Sequence, residues 1–215
     1  MSMATPTPDA TRARAKYRRI ATSYDVRLGT GRALHRRAVD RLALEPGESV
    51  LDVGRGTGLA FEAVEQRIGP DGLLVGVELS PEMLDRAKRR VTRHGWRNVT
   101  LIRGAAEDVE LPTDLDTALL VLTHDIMRSH EAVTNVVRSL GPGGRIVAAG
   151  SKLPPRRTGP LRPYIRLRAR RYITTFDGFD APWTVLAELV PDLQVEQILL
   201  GAAYIASGTR EAATE

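Results

Sequence analysis

The run Val50-Leu51-Asp52-Val53-Gly54-Arg55-Gly56-Thr57-Gly58 constrains the fold of this chain more than any other stretch. Ser49 to Val53 has the length and composition of a short buried strand. Glycines on alternate positions close it. Glycine accepts the left-handed backbone of a tight turn and lets a ligand approach the main chain. A helix is expected next over Leu59–Ile68, stopped by Gly69-Pro70. Strand, glycine turn and helix in this order put the turn at the carboxyl edge of a sheet, where open α/β folds bind ligands.

The rest of the chain repeats this rhythm. Leu73–Val77 reads as a second strand. Ser80-Pro81-Glu82 combines an N-cap, a proline at the first helical position and an acid in the first turn, so a helix runs from there to about His94 and ends at Gly95. Asn98–Arg103 and Thr117–Leu122 are further strands. Glu131–Leu140 is helical, Gly141-Pro142-Gly143-Gly144 reads as a turn, and Arg145–Ala149 as strand five. Strands separated by single helices pair in parallel through right-handed crossovers. A basic, proline-bearing insertion at 151–181 interrupts the pattern. Trp183–Leu189 then reads as a helix, and Leu193–Leu199 and Ala202–Ala206 as two strands joined tightly at Gly201. A closing hairpin makes the sheet mixed. At the other end, residues 1–10 read as a disordered tail, and 11–46 as two helices, Thr11–Tyr24 and Ala33–Leu44.

A chain of 215 residues is enough for one domain with a sizeable core. No apolar run approaches the roughly 20 residues that cross a bilayer. Met1 to Asp9 has no apolar core of a secretory signal. There is no cysteine, which excludes disulfides, thiolate metal sites and a cysteine nucleophile; a reducing cytoplasm is the default location. The net charge of +5 is concentrated at Arg12–Arg19 and Arg156–Arg171. Such clusters attract nucleic acid, anionic membranes or acidic substrates, or simply form a solvated basic surface.

Two details narrow the ligand of the glycine turn. A dinucleotide loop, G-x-G-x-x-G, needs a small residue where this chain has Leu59; the third glycine falls one place early, at Gly58. Asp52, just before the turn, would repel a pyrophosphate and attract a cationic amino or sulfonium group. Glu78 at the end of strand two can accept hydrogen bonds from both hydroxyls of a ribose. Its bland alternative is an acid near a helix start, stabilised by the helix dipole.

The stretch from Val50 to Gly58 resembles motif I of class I S-adenosylmethionine-dependent methyltransferases, V-L-D-x-G-x-G-T-G, at every fixed position. Arg55 stands where small residues or cysteine are more usual; a guanidinium there would bind the methionine carboxylate or point to solvent. The resemblance implies an α/β fold with a Rossmann-like seven-stranded mixed sheet, order 3-2-1-4-5-7-6, helices on both faces, and S-adenosylmethionine as cofactor. It implies a cofactor-binding domain over 47–208 behind an N-terminal helical lid at 11–46. It assigns the cofactor to Asp52, Gly54, Gly56, Gly58 and Glu78, with Leu79 packing on the adenine and Met83 adding to that wall or to the core. Gly104-Ala105-Ala106-Glu107-Asp108 resembles the family's G-D-A element, where the Ala106 N–H would read an adenine ring nitrogen. Its aspartate position is Ala105, so Glu107 or Asp108 substitutes, or backbone and packing hold the adenine alone. Leu140 to Val147 resembles the L-x-P-G-G turn before strand five. The resemblance runs continuously over about 17–150 and takes in the last two strands.

The edge of strand four, Leu122-Thr123-His124-Asp125-Ile126, faces the reacting centre in that family. Thr123 is the expected contact on the methionine side. His124 is the candidate general base, because an imidazole titrates near neutrality; the alternative is that it caps the following helix or passively lines the pocket. Asp125 is placed to orient it, and His130 is a weaker candidate. The [N/D]-P-P-[Y/F] motif is absent, which argues against methylation of DNA adenine or glutamine and disfavours nucleic acid as a partner. No acidic cluster suggests a metal site of the catechol type. Tyr17 and Tyr24-Asp25 resemble the Y-D segment of small-molecule methyltransferases, including the quinone-biosynthesis type, where Tyr24 would meet the methionine portion; otherwise it is a core aromatic. The insertion's arginines fit an acidic substrate, a lipid headgroup, a membrane interface or plain solvation. The expected function is in-line transfer of a methyl group to a small organic molecule. Its rivals are a phospholipid or RNA methyltransferase using those arginines, a non-methylating cyclase or binding protein on this fold, and an NAD-dependent oxidoreductase.

Overall fold

The computed structural model describes residues 29–170, 173 and 175–211; the tail 1–10, the helix expected at Thr11–Tyr24 and Tyr24 itself lie outside them. Seven strands form one sheet: β1 (Ser49–Val53), β2 (Leu73–Glu78), β3 (Val99–Arg103), β4 (Leu115–Val121), β5 (Leu140–Ser151), β6 (Gln194–Ile198) and β7 (Ala203–Thr209). Their spatial order is β3-β2-β1-β4-β5-β7-β6, as expected. The first five pair in parallel, and β7 runs antiparallel to both β5 and β6.

Alternation along the strands sorts two apolar faces. Val50, Leu74 and Leu119 pack with α1 (Gly29–Leu42), α2 (Phe61–Ile68) and α3 (Pro81–His94) through Val39, Leu42, Phe61, Val64 and Ala87. Leu51, Val53 and Val75 face the other side, where α5 (His130–Ser139) and α7 (Thr184–Leu189) bring Val133, Val136 and Leu186. Each fully buried aliphatic side chain contributes about 1.5–3 kcal/mol, so this double cover holds the central strands rigid. A single-turn α4 (His124–Met127) follows β4, and α6 (Leu161–Ala169) lies in the insertion. There, Leu153, Ala169, Ile173 and Phe179 make a third, small apolar cluster.

The caps follow the sequence. Ser80 Oγ accepts from Met83 N–H at 3.3 Å, Pro81 starts α3, and Gly95 ends it in the left-handed region. One expectation is corrected. Gly141-Pro142-Gly143-Gly144 is not a free turn but the irregular start of β5, whose register slips between Leu115↔Leu140 and Thr117↔Arg145. Gly143 N–H donates to Arg210 O at 3.0 Å, and Arg210 N–H to Gly144 O at 2.8 Å. The chain beyond β7 thus supplies partners that a solvent-facing turn would lack. Among the described residues, no helix is long and apolar enough to cross a membrane.

Candidate functional site

The glycine turn lies at the carboxyl end of β1. Gly54 N–H donates to Val77 O at 3.0 Å, and Gly58 N–H closes the turn on Arg55 O at 3.0 Å. Gly54 has φ 64, and a Cβ there would lie 2.6 Å from Thr123 Cγ2 and 2.8 Å from Ile126 Cδ1. Only glycine lets the turn sit this close to the end of β4. From β2, Glu78 spans the opening: its Oε2 accepts from Gly56 N–H and its Oε1 from Ser80 N–H, both at 2.8 Å. Burial pushes its carboxyl above the ordinary range, while these backbone bonds pull it back.

A cavity of about 100 Å³ opens here. It is lined by Gly54 and Gly56 of the turn, Glu78 at the end of β2, Leu79 and Met83 after it, Ala105 and Ala106 after β3, and Leu122, Thr123, Asp125 and Ile126 after β4. Leu122 has φ 61, a strained conformation for a branched residue at the tip of a strand. Thr123 Oγ1 is buried with no hydrogen-bond partner among the described residues. A second, larger cavity of about 430 Å³ adjoins the first and shares Leu122 and Thr123 with it. It is lined chiefly by apolar groups, among them Leu34, Ile165, Phe179 and Tyr204. His124 forms part of its wall, its ring edge-on to Phe179 at 4.9 Å. Burial holds the His124 imidazole below its ordinary pKa, with the Asp125 charge opposing, so the ring is neutral at neutral pH. Neither ring nitrogen makes a hydrogen bond of good geometry among the described residues.

The structure therefore gathers Gly54, Gly56, Glu78, Leu79, Met83, Ala106 and Thr123 around one cavity. Asp52 is buried and does not line the cavity, though it acts electrostatically on Glu78, and Gly58 turns toward the Phe61 ring. Glu107 is absent from the wall. His124 lines the larger cavity and Asp125 the smaller, with the Asp125 charge still acting on the imidazole. Leu122 and Ile126 lie within the strand-four edge that the sequence places at the site, but no role is assigned to them there, because no glycine or proline marks the bend at Leu122.

Arg55 does not point to solvent. It is buried, its guanidinium 5.5 Å from the centre of the Phe61 ring and beside Asp52 and Glu78. Burial lowers its pKa to about 10, opposed by the two carboxylates, so it stays protonated. Asp52 is raised to about 7 by burial, with Arg55 pulling it down. The donor set fits an adenosyl cation: a carboxylate anchored by two N–H groups for a diol, an apolar slot for a flat base, a buried acid acting on that carboxylate, and a hydroxyl seeking a partner. Among the described residues, no cluster of His, Cys, Asp and Glu could hold a metal.

Comparison with known proteins agrees. The family described as "Methyltransferase domain" matches residues 50–144. A demethylmenaquinone methyltransferase of Tropheryma whipplei is 30% identical over 187 residues, covering 83% of this chain and 76% of that protein. An arsenite methyltransferase of Halobacterium salinarum is 32% identical over 108 residues, 48% of this chain, and the chain spans only 27% of its length. The chain likewise spans 59% and 57% of two further quinone-pathway relatives. The crystal structure of a SAM-dependent methyltransferase from Aquifex aeolicus superimposes with a TM-score of 0.63 at 16% identity, covering 94% of this chain and 98% of that one, which shows a shared fold. With the strand order, the glycine turn and a relative matched over most of both sequences, this chain belongs to the S-adenosylmethionine-dependent methyltransferase family.

Proposed function

We propose that this chain transfers a methyl group from S-adenosylmethionine to a small, largely apolar organic molecule. The observation that carries this reading is the meeting of two cavities at Leu122 and Thr123: a small one with an anchored carboxylate and a larger apolar one. When bound, S-adenosylmethionine supplies a methyl group made electrophilic by its sulfonium. In this reading Glu78 holds the ribose hydroxyls with the lone pairs that Gly56 and Ser80 leave. Leu79, Met83 and Ala106 enclose the adenine. Asp52, ionised, favours the cationic ligand by its charge, and Thr123 marks the junction at which the acceptor must arrive. His124, neutral and facing the acceptor, takes the proton that the acceptor loses. Apolar walls keep water out, which strengthens each of these contacts. The relative named for demethylmenaquinone supports an organic acceptor.

The test is a thermal-shift comparison of S-adenosylhomocysteine with NAD, followed by turnover against a panel of aromatic and prenyl-type acceptors. Stabilisation by the nucleoside alone, with S-adenosylhomocysteine formed during turnover, is the expected result. Stabilisation by NAD instead would overturn the proposal.

A further inference from the structure

We infer that the face around the mouth of the larger cavity docks onto an anionic lipid bilayer. Four large apolar side chains stand outward there: Tyr164 and Leu167 on α6, 53% and 65% exposed, and Leu199 and Leu200 at the tip of the β6–β7 hairpin, 64% and 80% exposed. Tyr164 and Leu199 also line the larger cavity, so the helix and the hairpin flank one opening. The two leucines have consecutive left-handed backbones, φ 52 and φ 55. Leucine is disfavoured in that region. Strain that holds two leucines in water brings no benefit in water; it does so if the pair enters an apolar medium.

Charge selects the occupant. Between Lys152 and Arg170 the chain has no acidic residue and six arginines. Arg162 is paired with Asp180, and Arg156, Arg157, Arg166, Arg168 and Arg170 are exposed. Pro155 Cδ would lie 2.8 Å from a Cβ on Gly201, so the short turn that begins at Arg156 sits against the leucine hairpin. Apolar side chains ringed by guanidinium groups match the acyl boundary and headgroups of an anionic leaflet. A nucleic-acid surface would leave the leucines unused, because they offer no flat ring on which bases stack. Docking in this pose turns the cavity mouth toward the hydrocarbon, giving an apolar substrate a dry route in. That consequence rests on the methyltransferase reading; the docking does not.

The experiment is co-sedimentation of the full chain with phosphatidylcholine vesicles, with and without phosphatidylglycerol. Binding is expected only to the anionic vesicles and should weaken with salt. The Leu167→Ser/Leu200→Ser variant should lose at least tenfold in partitioning. Neither residue lines either cavity, so its melting temperature and its S-adenosylhomocysteine affinity should match the parent. Arg157→Glu/Arg170→Glu should abolish the preference for the anionic lipid. No vesicle binding, equal partitioning of the leucine variant, or RNA binding as tight as vesicle binding would overturn the inference. Loss of nucleoside binding by the parent chain would instead count against the proposed function.

Discussion

Arg55 occupies the space that Gly76 leaves empty: a Cβ on residue 76 would lie 2.3 Å from Arg55 Cδ and 2.6 Å from its Nε. Asp52 and Gly76 are register partners on β1 and β2, so the guanidinium crosses the sheet directly beside the buried acid. The two substitutions are therefore coupled. Gly76→Ala should destabilise by about 1–3 kcal/mol, the usual range for overpacking a core. In an Arg55→Ala background the same change should cost at least about 1 kcal/mol less, because the clashing atoms are gone. Urea unfolding of the four proteins checks this, and equal costs in both backgrounds would place Arg55 elsewhere.

Gly54→Ala puts a Cβ onto Thr123 and Ile126 and forces alanine to a positive φ. The turn must lift away from β4, and this part of the cavity wall moves with it. S-adenosylhomocysteine affinity should fall more than about tenfold, about 1.4 kcal/mol, by calorimetry. Adding Thr123→Ser removes the nearer clashing methyl group and should recover part of the loss.

Asp52 titrates where it matters. Burial raises it from 3.8 to about 7, with Arg55 opposing. A carboxyl whose folded pKa lies above its unfolded value lends stability that is complete below about pH 4 and is lost as pH rises through about 7. Binding of a cation has the opposite slope, since only the carboxylate attracts it. S-adenosylmethionine affinity should therefore rise between about pH 6 and 8, whereas the free protein loses this stability between about pH 4 and 7 and loses no more of it above that. Asp52→Asn should flatten both profiles and bind the cation more weakly at about pH 8. An unchanged slope in calorimetry would exclude Asp52 as the titrating group.

What the sequence made legible has a physical pattern. The strands and the caps at Ser80 and Gly95 were readable because local chemistry dictates them: buried apolar runs, an oxygen at an N-cap, a glycine at a left-handed stop; the order of the strands came only with the family resemblance. Glu78 and the glycine turn were readable for the same reason. The course of Arg55 was not, because it depends on a missing side chain 21 residues away, and spacing alone does not pair Arg55 with Gly76. The bulge at Gly141–Gly144 depends on Arg210, across the sheet. The strained Leu122 carries no glycine to announce it. The split of His124 and Asp125 between two cavities depends on the single turn of α4, too short to leave a periodic signal.

That split gives the sharpest test of the chemistry. His124 lines the larger cavity and is absent from the wall of the smaller one, so on the proposed reading His124→Gln should leave S-adenosylhomocysteine affinity unchanged. As the proton acceptor it should carry about 10²-fold or more in kcat. Burial holds its pKa below the ordinary imidazole value, with Asp125 opposing. The parent's rate should then fall on the acid side, with a midpoint below that value, and this limb should vanish in the variant. The same group lends the fold stability above the ordinary imidazole pKa that is lost as pH falls through the depressed one, so His124→Phe should also blunt acid unfolding. A passive wall gives a different signature: KM rises, kcat holds, and the acid limb survives the substitution. Steady-state kinetics of the two variants across about pH 5 to 8 separates these outcomes, and retention of the acid limb would remove His124 from the reaction.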